Sequence, residues 1–480
     1  MIKHLINILV TAMLILALFA SCDDDGFLSS EEVSLSFSTD TLMFDTIFTT
    51  IGSTTKSFRV INPHNRPVLI SSIELAGGNN SPYRLNIDGI MSNSVSDVEL
   101  PARDSIFIFV ELTVDPNGSN QPMIIQDSVV FLINSEFQDI DLLAWGQDFI
   151  PVKEEVLSTT TWTADKPYLV YNYALVDTGA VLTIEPGARI HFHKDAILAA
   201  MGTINAVGTH DKPITFQGDR LEALYSDIPA QWHGIILSPN EEEHVFENVI
   251  LKNGWTGLQI GNVDGAAKVK LHNMRIEHMG FAGIVALQSE INASNLVVSN
   301  CGSVGIALYL GGKYRFNHTT VANYWRGYSN RNTPSIFVSN MARDERYRPP
   351  IVSDDLIEAT WQNSIIWGSV ASEVDFEINT DYLFNVSLNN SLVKVADSIY
   401  NAHPNFFVNS IRNQDPAFVN VAEYNYQLLP ESPAINAANI EYSQFVPYDL
   451  NLISRLADDA PDIGAFEYVK EEEEEDEDKN

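Results

Sequence analysis

The sequence predicts an all-β chain in which a solenoid of stacked coils follows an antiparallel β-sandwich. Three observations carry this expectation. Asn248, Asn273 and Asn295 open related phrases, N-V-I-L-K-N-G-W-T-G-L, N-M-R-I-E-H-M-G-F-A-G-I and N-L-V-V-S-N-C-G-S-V-G-I, at spacings of 25 and 22 residues, and Asn317 follows after another 22. A period in the low twenties made of short β-type runs marks coils that bury their apolar side chains only by stacking on one another. Residues 33–150 instead hold short alternating runs, such as S-F-R-V-I at 57–61, broken at Asn62-Pro63, Gly77-Gly78, Asn117-Gly118 and Asn134-Ser135. That spacing suits antiparallel strands in a sandwich. The composition is 45% hydrophobic and 19% charged over 480 residues, enough for two or three domains with a large core.

The chain opens with Lys3 and His4 before an apolar run over residues 5–19. That run has the length of a signal-peptide core and is short for a membrane span. It ends Leu18-Phe19-Ala20-Ser21-Cys22, which resembles the bacterial lipobox, with Phe19 where Leu is usual. The resemblance implies a lipoprotein signal peptide at 1–21 and lipidation of Cys22. Asp23, Asp24 and Asp25 follow and resemble the surface-export signal of Bacteroidota lipoproteins. The expected location is therefore the outer-membrane surface, with the membrane reached only through the lipid anchor. Residues 22–32 read as a tether.

The sandwich, 33–150, resembles Hydin-type Ig-like domains through F-D-T-I-F at 44–48, F-R-V-I-N at 58–62 and L-L-A-W-G-Q-D at 142–148. Such domains serve as spacers or docking modules. Five triplets (at Thr41, Thr46, Ser105, Ser128 and Ser398) resemble the Asp-[Ser/Thr]-apolar O-glycosylation motif of Bacteroidota, four of them here. Residues 151–161 read as a linker. Then L-T-I-E-P-G-A-R-I at 182–190, G-T-I-N-A-V-G-T at 202–209 and W-H-G-I-I-L at 232–237 resemble the opening coils of right-handed parallel β-helices of the pectate-lyase-like superfamily. S-P-A-I-N at 432–436 and D-I-G-A-F-E-Y at 462–468 fit the same family. The resemblance implies a β-helix over 151–468, and this fold hosts lyases, hydrolases and non-enzymes alike.

Within the coils, alternate apolar residues such as Val249 and Leu251 face inward, and the asparagines stack amide on amide. Gly254, Gly257, Gly280, Gly283, Gly302 and Gly305 fall where unusual backbone angles are expected. Ten to twelve coils, each rising about 4.8 Å, make a rod of roughly 50 Å. Its ends need caps, for which 151–175 and the S-P-A-I-N to G-A-F-E-Y segment are the candidates. The repeat breaks after Trp325, so 326–355 reads as an inserted loop, and 219–231 as a second. Residues 469–480, with eight successive carboxylates from 471, read as a disordered acidic tail.

The formal net charge is -35, with 63 acidic and 28 basic residues, which argues against a nucleic-acid partner. The basic residues that do cluster lie in one loop: Arg326, Arg331, Arg343, Arg346 and Arg348, among Trp325, Tyr328 and Tyr347. Guanidinium forks bind carboxylates and sulfates, and aromatic faces stack on sugar rings, so these eight are the expected ligand-binding residues. Glu373, Asp375 and Glu377 alternate with apolar neighbours and are expected on one outward strand face, where carboxylates split into acid and base or hold calcium. A pectate-lyase-like reaction needs a basic residue beside such a cluster, and Arg275, near Glu277, is the candidate. Asn379-Thr380-Asp381 begins like the polygalacturonase signature but continues with Tyr382, and its later elements are missing.

His191 with His193, and His272 with His278, lack the further ligands a metal site requires, so no metal or other cofactor is expected outside a calcium-dependent lyase. The leading functional expectation is non-catalytic binding of a polysaccharide or surface protein. The alternatives are a polysaccharide lyase or glycoside hydrolase, and a structural spacer.

Overall fold

The computed structural model describes residues 26–29, 33–327, 329–346, 351–457 and 460–470. The signal segment, Cys22, Tyr328, Tyr347, Arg348 and the acidic run from 471 lie outside the described residues. The chain divides into two compact units between Asp148 and Phe149.

Among the described residues, the first unit is a β-sandwich of ten strands: β1 (Ser36–Phe37), β2 (Thr41–Phe48), β3 (Lys56–Ile61), β4 (Val68–Leu75), β5 (Tyr83–Ile87), β6 (Ile90–Met91), β7 (Ser94–Leu100), β8 (Ser105–Leu112), β9 (Met123–Ile133) and β10 (Glu136–Gln147). They form two sheets, β1-β3-β8-β5-β6 and β2-β10-β9-β4-β7. The strands pair antiparallel except for β2 on β10. Alternation sets what each strand buries: in β8, Ile106, Ile108, Val110 and Leu112 point inward and Phe107 and Phe109 outward. Thr41 and Thr46 lie in β2, Ser105 in β8 and Ser128 in β9.

The second unit is a parallel β-helix whose 25 strands form one continuous hydrogen-bonded system. One inward column runs its length: Ile150, Tyr168, Ile190, Phe216, Leu251, Ile276, Val298, Val321, Ile366, Val393 and Arg412 sit opposite one another in successive rungs. The members from Ile190 to Val393 are fully buried. Burying each such side chain stabilises by about 1.5–3 kcal/mol, which is why an apolar residue returns once per coil.

Two expected boundaries change. Residues 151–161 are no linker: Ile150–Leu157 and Thr160–Trp162 are strands of the first coil, pairing with Tyr168–Val176 and Val181–Ile184. The expected cap at 151–175 is thus ordinary coil, with Trp162 stacked on Tyr168 at 4.8 Å. The expected loop at 326–355 contains a rung, Ile336–Ser339, paired on both sides. It is two excursions around one strand, the second folded as the hairpin Met341–Arg343 with Ile351–Ser353.

The corners also differ in kind from expectation. Asn248, Asn273, Asn295 and Asn363 adopt φ of 48–51° and turn the chain from one face to the next, which a short amide side chain tolerates. The fourth position in register is His318 (φ 48°), because Asn317 pairs with Ser294 and the neighbouring phrase is one residue out of phase. The repeat glycines have no such angles. Gly257 and Gly283 instead allow close approach between coils: a Cβ on Gly257 would stand 2.5 Å from the Gly283 carbonyl oxygen.

The final segment does not cap the rod. The helix Asp397–Ala402 and the turn Pro404–Phe406 do so, packing Ile399, Tyr400 and Phe406 on the last core residues. Residues 418–457 and 460–468 run alongside instead, burying Phe418, Tyr426, Leu428, Ile463 and Phe466 against the outward side chains Val297, Ala322, Ile365 and Trp367. They also take over the asparagine ladder. Asn273 donates to Asn248 Oδ1 (3.3 Å) and Asn295 to Asn273 Oδ1 (2.8 Å). Beyond that, Arg455 donates to Asn295 Oδ1 (2.9 Å), and Asn317 and Asn363 donate to the carbonyls of Tyr442 and Asn439 (2.9 Å each).

Candidate functional site

On the face carrying the strands Lys268–Met279 and Glu290–Cys301, outward residues fall into rows by register. One row is Lys252, Glu277, Ser299, Ala322 and Trp367, and another is Ile250, Arg275, Val297, Thr320 and Ile365. The covering segment buries the later members of both rows and stops short of Arg275. Lys252, Arg275 and Glu277 therefore sit at its edge.

Four chain segments meet there. The 219–231 insertion contributes Asp227, the coil contributes Arg275, Glu277 and His278, the excursion after Trp325 contributes Arg326, and the covering segment contributes Tyr424. Arg275 Nε donates to Glu277 Oε1 at 2.9 Å. Glu277 is mostly buried, while Arg275 keeps a third of its side chain in solvent. The Tyr424 ring meets His278 edge-on at 4.5 Å, with its φ of 58° allowing the tight approach. Asp227 Oδ1 lies 3.6 Å from His278 Nε2.

Hydrogen bonding sets the His278 tautomer. Asn300 Nδ2 lies 2.8 Å from His278 Nδ1, while Asn300 Oδ1 accepts from the Arg326 amide at 3.0 Å. With the Asn300 oxygen so occupied, its NH2 donates to Nδ1, and the ring proton sits on Nε2 facing Asp227. Burial holds the His278 pKa below its ordinary value, opposed by Glu277 and Asp227. Burial likewise raises the Tyr424 phenol, helped by Asp227. Beneath, the buried hydroxyls of Ser299 and Tyr426 lie against each other without reaching hydrogen-bond geometry.

Beside this cluster the turns present aromatic faces. Trp255 and Phe281 follow Gly254 and Gly280 at equivalent points of successive coils, their rings 6.0 Å apart and within 12° of parallel. Trp255 is 48% and Phe281 39% exposed, which is unusual for rings of this size. Gly280 makes the arrangement possible, since a Cβ there would stand 2.7 Å from the indole and 2.8 Å from Ala230 Cβ.

The predicted residues scatter. Arg326 and Arg275 reach this site. Trp325 lies over Gly302 near by, its Nε1 donating to the Ser329 carbonyl at 2.8 Å. Arg331 turns inward and pairs with Glu373 at 2.7 and 2.8 Å, both side chains essentially without solvent contact. Glu373 is thus not on a solvated face: it also accepts from Ser335 N and Oγ and from Val370 N. It anchors the first excursion, while Asp375 and Glu377 remain partly or fully open. Arg346 binds Asp344 and Asp264, and Arg343 binds Glu345 (2.6 Å). Arg343 lines a different groove, about 490 Å³, with Val285, Tyr309, Ile351 and Glu377. Among the described residues, no three His, Cys, Asp or Glu side chains are grouped to hold a metal ion.

Asp227, Tyr424 and the Trp255–Phe281 pair were missed from the sequence, and His278 was read there only as half of an incomplete metal pair. Asp227 and Tyr424 have no signal there, since only the fold brings them near. The aromatic pair has one: N-G-W and M-G-F occupy the same point of adjacent repeats.

No family model matches the chain, and no curated protein matches it. Among solved structures, a similarity is found to a chain described in connection with glycolipid glycan hydrolysis by a family 123 glycoside hydrolase from Clostridium perfringens. It is 10% identical, covers 24% of this chain and 26% of that one, and has a TM-score of 0.17. A likeness of that size carries no argument about fold or activity.

Proposed function

We propose that this chain is a lipid-anchored protein of the outer-membrane surface that binds a polysaccharide along the side of its β-helix, without cleaving it. The observation that carries the reading is the parallel, exposed pair Trp255 and Phe281 beside Arg275, Arg326, Glu277 and Asp227. Flat rings take the apolar face of a sugar, and the neighbouring charged groups bond its hydroxyls and any carboxylate. The test is retention of the full chain on immobilised neutral, uronic and sulfated polysaccharides, compared with Trp255→Ala and Arg326→Ala. Binding that both variants lose supports the reading, and binding that neither loses overturns it. For the anchor, the test is fatty-acid labelling of the chain and of Cys22→Ala.

The second reading is a hydrolase or lyase. It is favoured by His278, whose proton is directed at Asp227 and which adjoins the Glu277–Arg275 pair, an arrangement suited to moving a proton. New reducing or unsaturated ends that vanish in His278→Ala and Glu277→Gln would replace the non-catalytic reading with this one.

A further inference from the structure

The sandwich carries a feature that its role as a spacer does not explain. On the outer face of the sheet β1-β3-β8-β5-β6, register aligns Ser57, Phe109, Asn86 and Met91 across four strands. Arg84 stands directly opposite Glu111 in the next row. Phe109, Asn86, Met91, Arg84 and Glu111, together with Asn93, line a groove of about 730 Å³. That is within the range of about 300–1,000 Å³ common for ligand pockets.

Strand alternation makes Arg84, Asn86, Phe107, Phe109 and Glu111 outward, where a polar residue is the ordinary choice. Phe107 and Phe109 break that pattern. Their rings are 6.1 Å apart and 24° from parallel, and both are well exposed. Met91 projects from the β5–β6 hairpin almost wholly into solvent. Asn86 Oδ1 accepts from Gly89 N at 2.9 Å, which leaves its amide nitrogen to the groove. Asn93 holds the groove edge by accepting from Leu85 N.

We propose that this groove is a second carbohydrate site, and that its ligand is a neutral oligosaccharide. The Phe109 ring, flanked by Phe107, supplies a stacking platform, and the Asn86 amide nitrogen supplies a donor suited to hydroxyl groups. Charge selects the class. Arg84 and Glu111 balance within the groove, while the chain as a whole carries -35. A polyanion would meet that field with no excess of cations to offset it. The proposal does not rest on the reading given for the cluster around His278.

The experiment is titration of the full chain with neutral hexasaccharides of the gluco-, manno- and xylo- series, with a hexauronate as counter-probe. Phe109→Ala should weaken the neutral ligand at least tenfold, and Met91→Glu should do the same without touching the platform. Neither residue is in the sandwich core, so the melting temperature should hold, and Trp255→Ala should leave this binding unchanged. Binding of no neutral hexasaccharide would overturn the proposal. So would wild-type affinity in both variants, or tighter binding of the hexauronate through Phe109. Loss in Trp255→Ala but not in Phe109→Ala would place the neutral site at the Trp255–Phe281 pair and also overturn it.

Discussion

Arg331 and Glu373 form a bidentate pair from which solvent is excluded, joining the excursion after Trp325 to the turn that opens the strand Val374–Glu377 on the next coil. Arg331 Nη2 also donates to the Asn323 carbonyl at 2.6 Å, and Glu373 takes the Ser335 hydroxyl at 2.6 Å. An arginine in a surface loop thus acts as an internal tie.

Removing one partner leaves the other charge buried alone. Arg331→Ala should cost about 3–5 kcal/mol, and so should Glu373→Ala. The double variant with Arg331→Met and Glu373→Leu should recover most of the loss. Denaturant unfolding of these chains and of the double alanine variant checks this. Simple additivity of the two alanine changes would show that the residues do not act as a pair.

Arg326 and Trp255 should behave in the opposite way. Their alanine variants should lower glycan retention at least tenfold while moving the melting temperature by no more than a degree or two, since exposed groups outside the core contribute little to stability. Paired binding and thermal-melt measurements separate this from general loosening.

Asn363 should matter more than a corner amide usually does. It holds φ of 49°, donates to the Asn439 carbonyl and accepts from the Asn439 amide at 2.8 Å. Asn363→Ala should lose roughly 2–4 kcal/mol from hydrogen bonds and backbone strain together. Asn363→Gly should lose less, because glycine takes the angle freely. Proteolysis should show the 439–464 region opening first in both.

Acid should destabilise the β-helix well above the usual carboxylate range. Burial holds the pKa of His191 and His244 down to about 4, and that of His318 well below its ordinary 6.5. Each folded site resists protonation more than the unfolded chain does. The stability they contribute is whole above about pH 6.5 and is lost as pH falls towards 4. The loss is on the order of 3 kcal/mol for each of the first two. Glu467 works against it, since burial pushes its carboxyl up to about 7 and the folded chain gains between pH 7 and 4.5. His272 and His278 are lowered by burial as well and Asp449 is raised, so among the described residues five histidines outweigh two carboxyls and melting temperature should fall over that window. His244→Leu should flatten the fall.

Cys301 should be inert in the folded chain, because burial raises its thiol to about 12. In Cys22→Ser, a thiol reagent should label nothing until denaturant is added. Prompt labelling would mean that the coil around it opens on its own.

The solenoid and the sandwich were legible because each rests on a local rule. Val298 and Val321 return at the coil period, and Ile106, Ile108 and Val110 return every second residue. The site was not. Arg331 and Arg326 are five residues apart in equally polar sequence, yet one is sealed inside and the other is exposed. What separates them is Glu373, a partner 42 residues away that no spacing rule names. The same holds for Asp227 and Tyr424, brought to His278 from opposite sides by tertiary structure alone. Asn317 misled for another reason: a shift of one residue in the strand before it moved the corner to His318.

The ladder that passes from Asn295 to Arg455 also sets an order in time. Arg455 lies 160 residues beyond Asn295, and Asn439 lies 76 beyond Asn363. During synthesis the middle coils emerge with the outward side chains of Val297 and Ile365 uncovered and their corner amides waiting for partners not yet made. The early coils can stack as they appear, while the later ones depend on a segment that reaches them last. Contacts of such long range are slow to form, and the interval leaves a sticky stripe along one side of the nascent rod. This chain therefore has a period of vulnerability during its biogenesis that a solenoid closed by local contacts alone would not have.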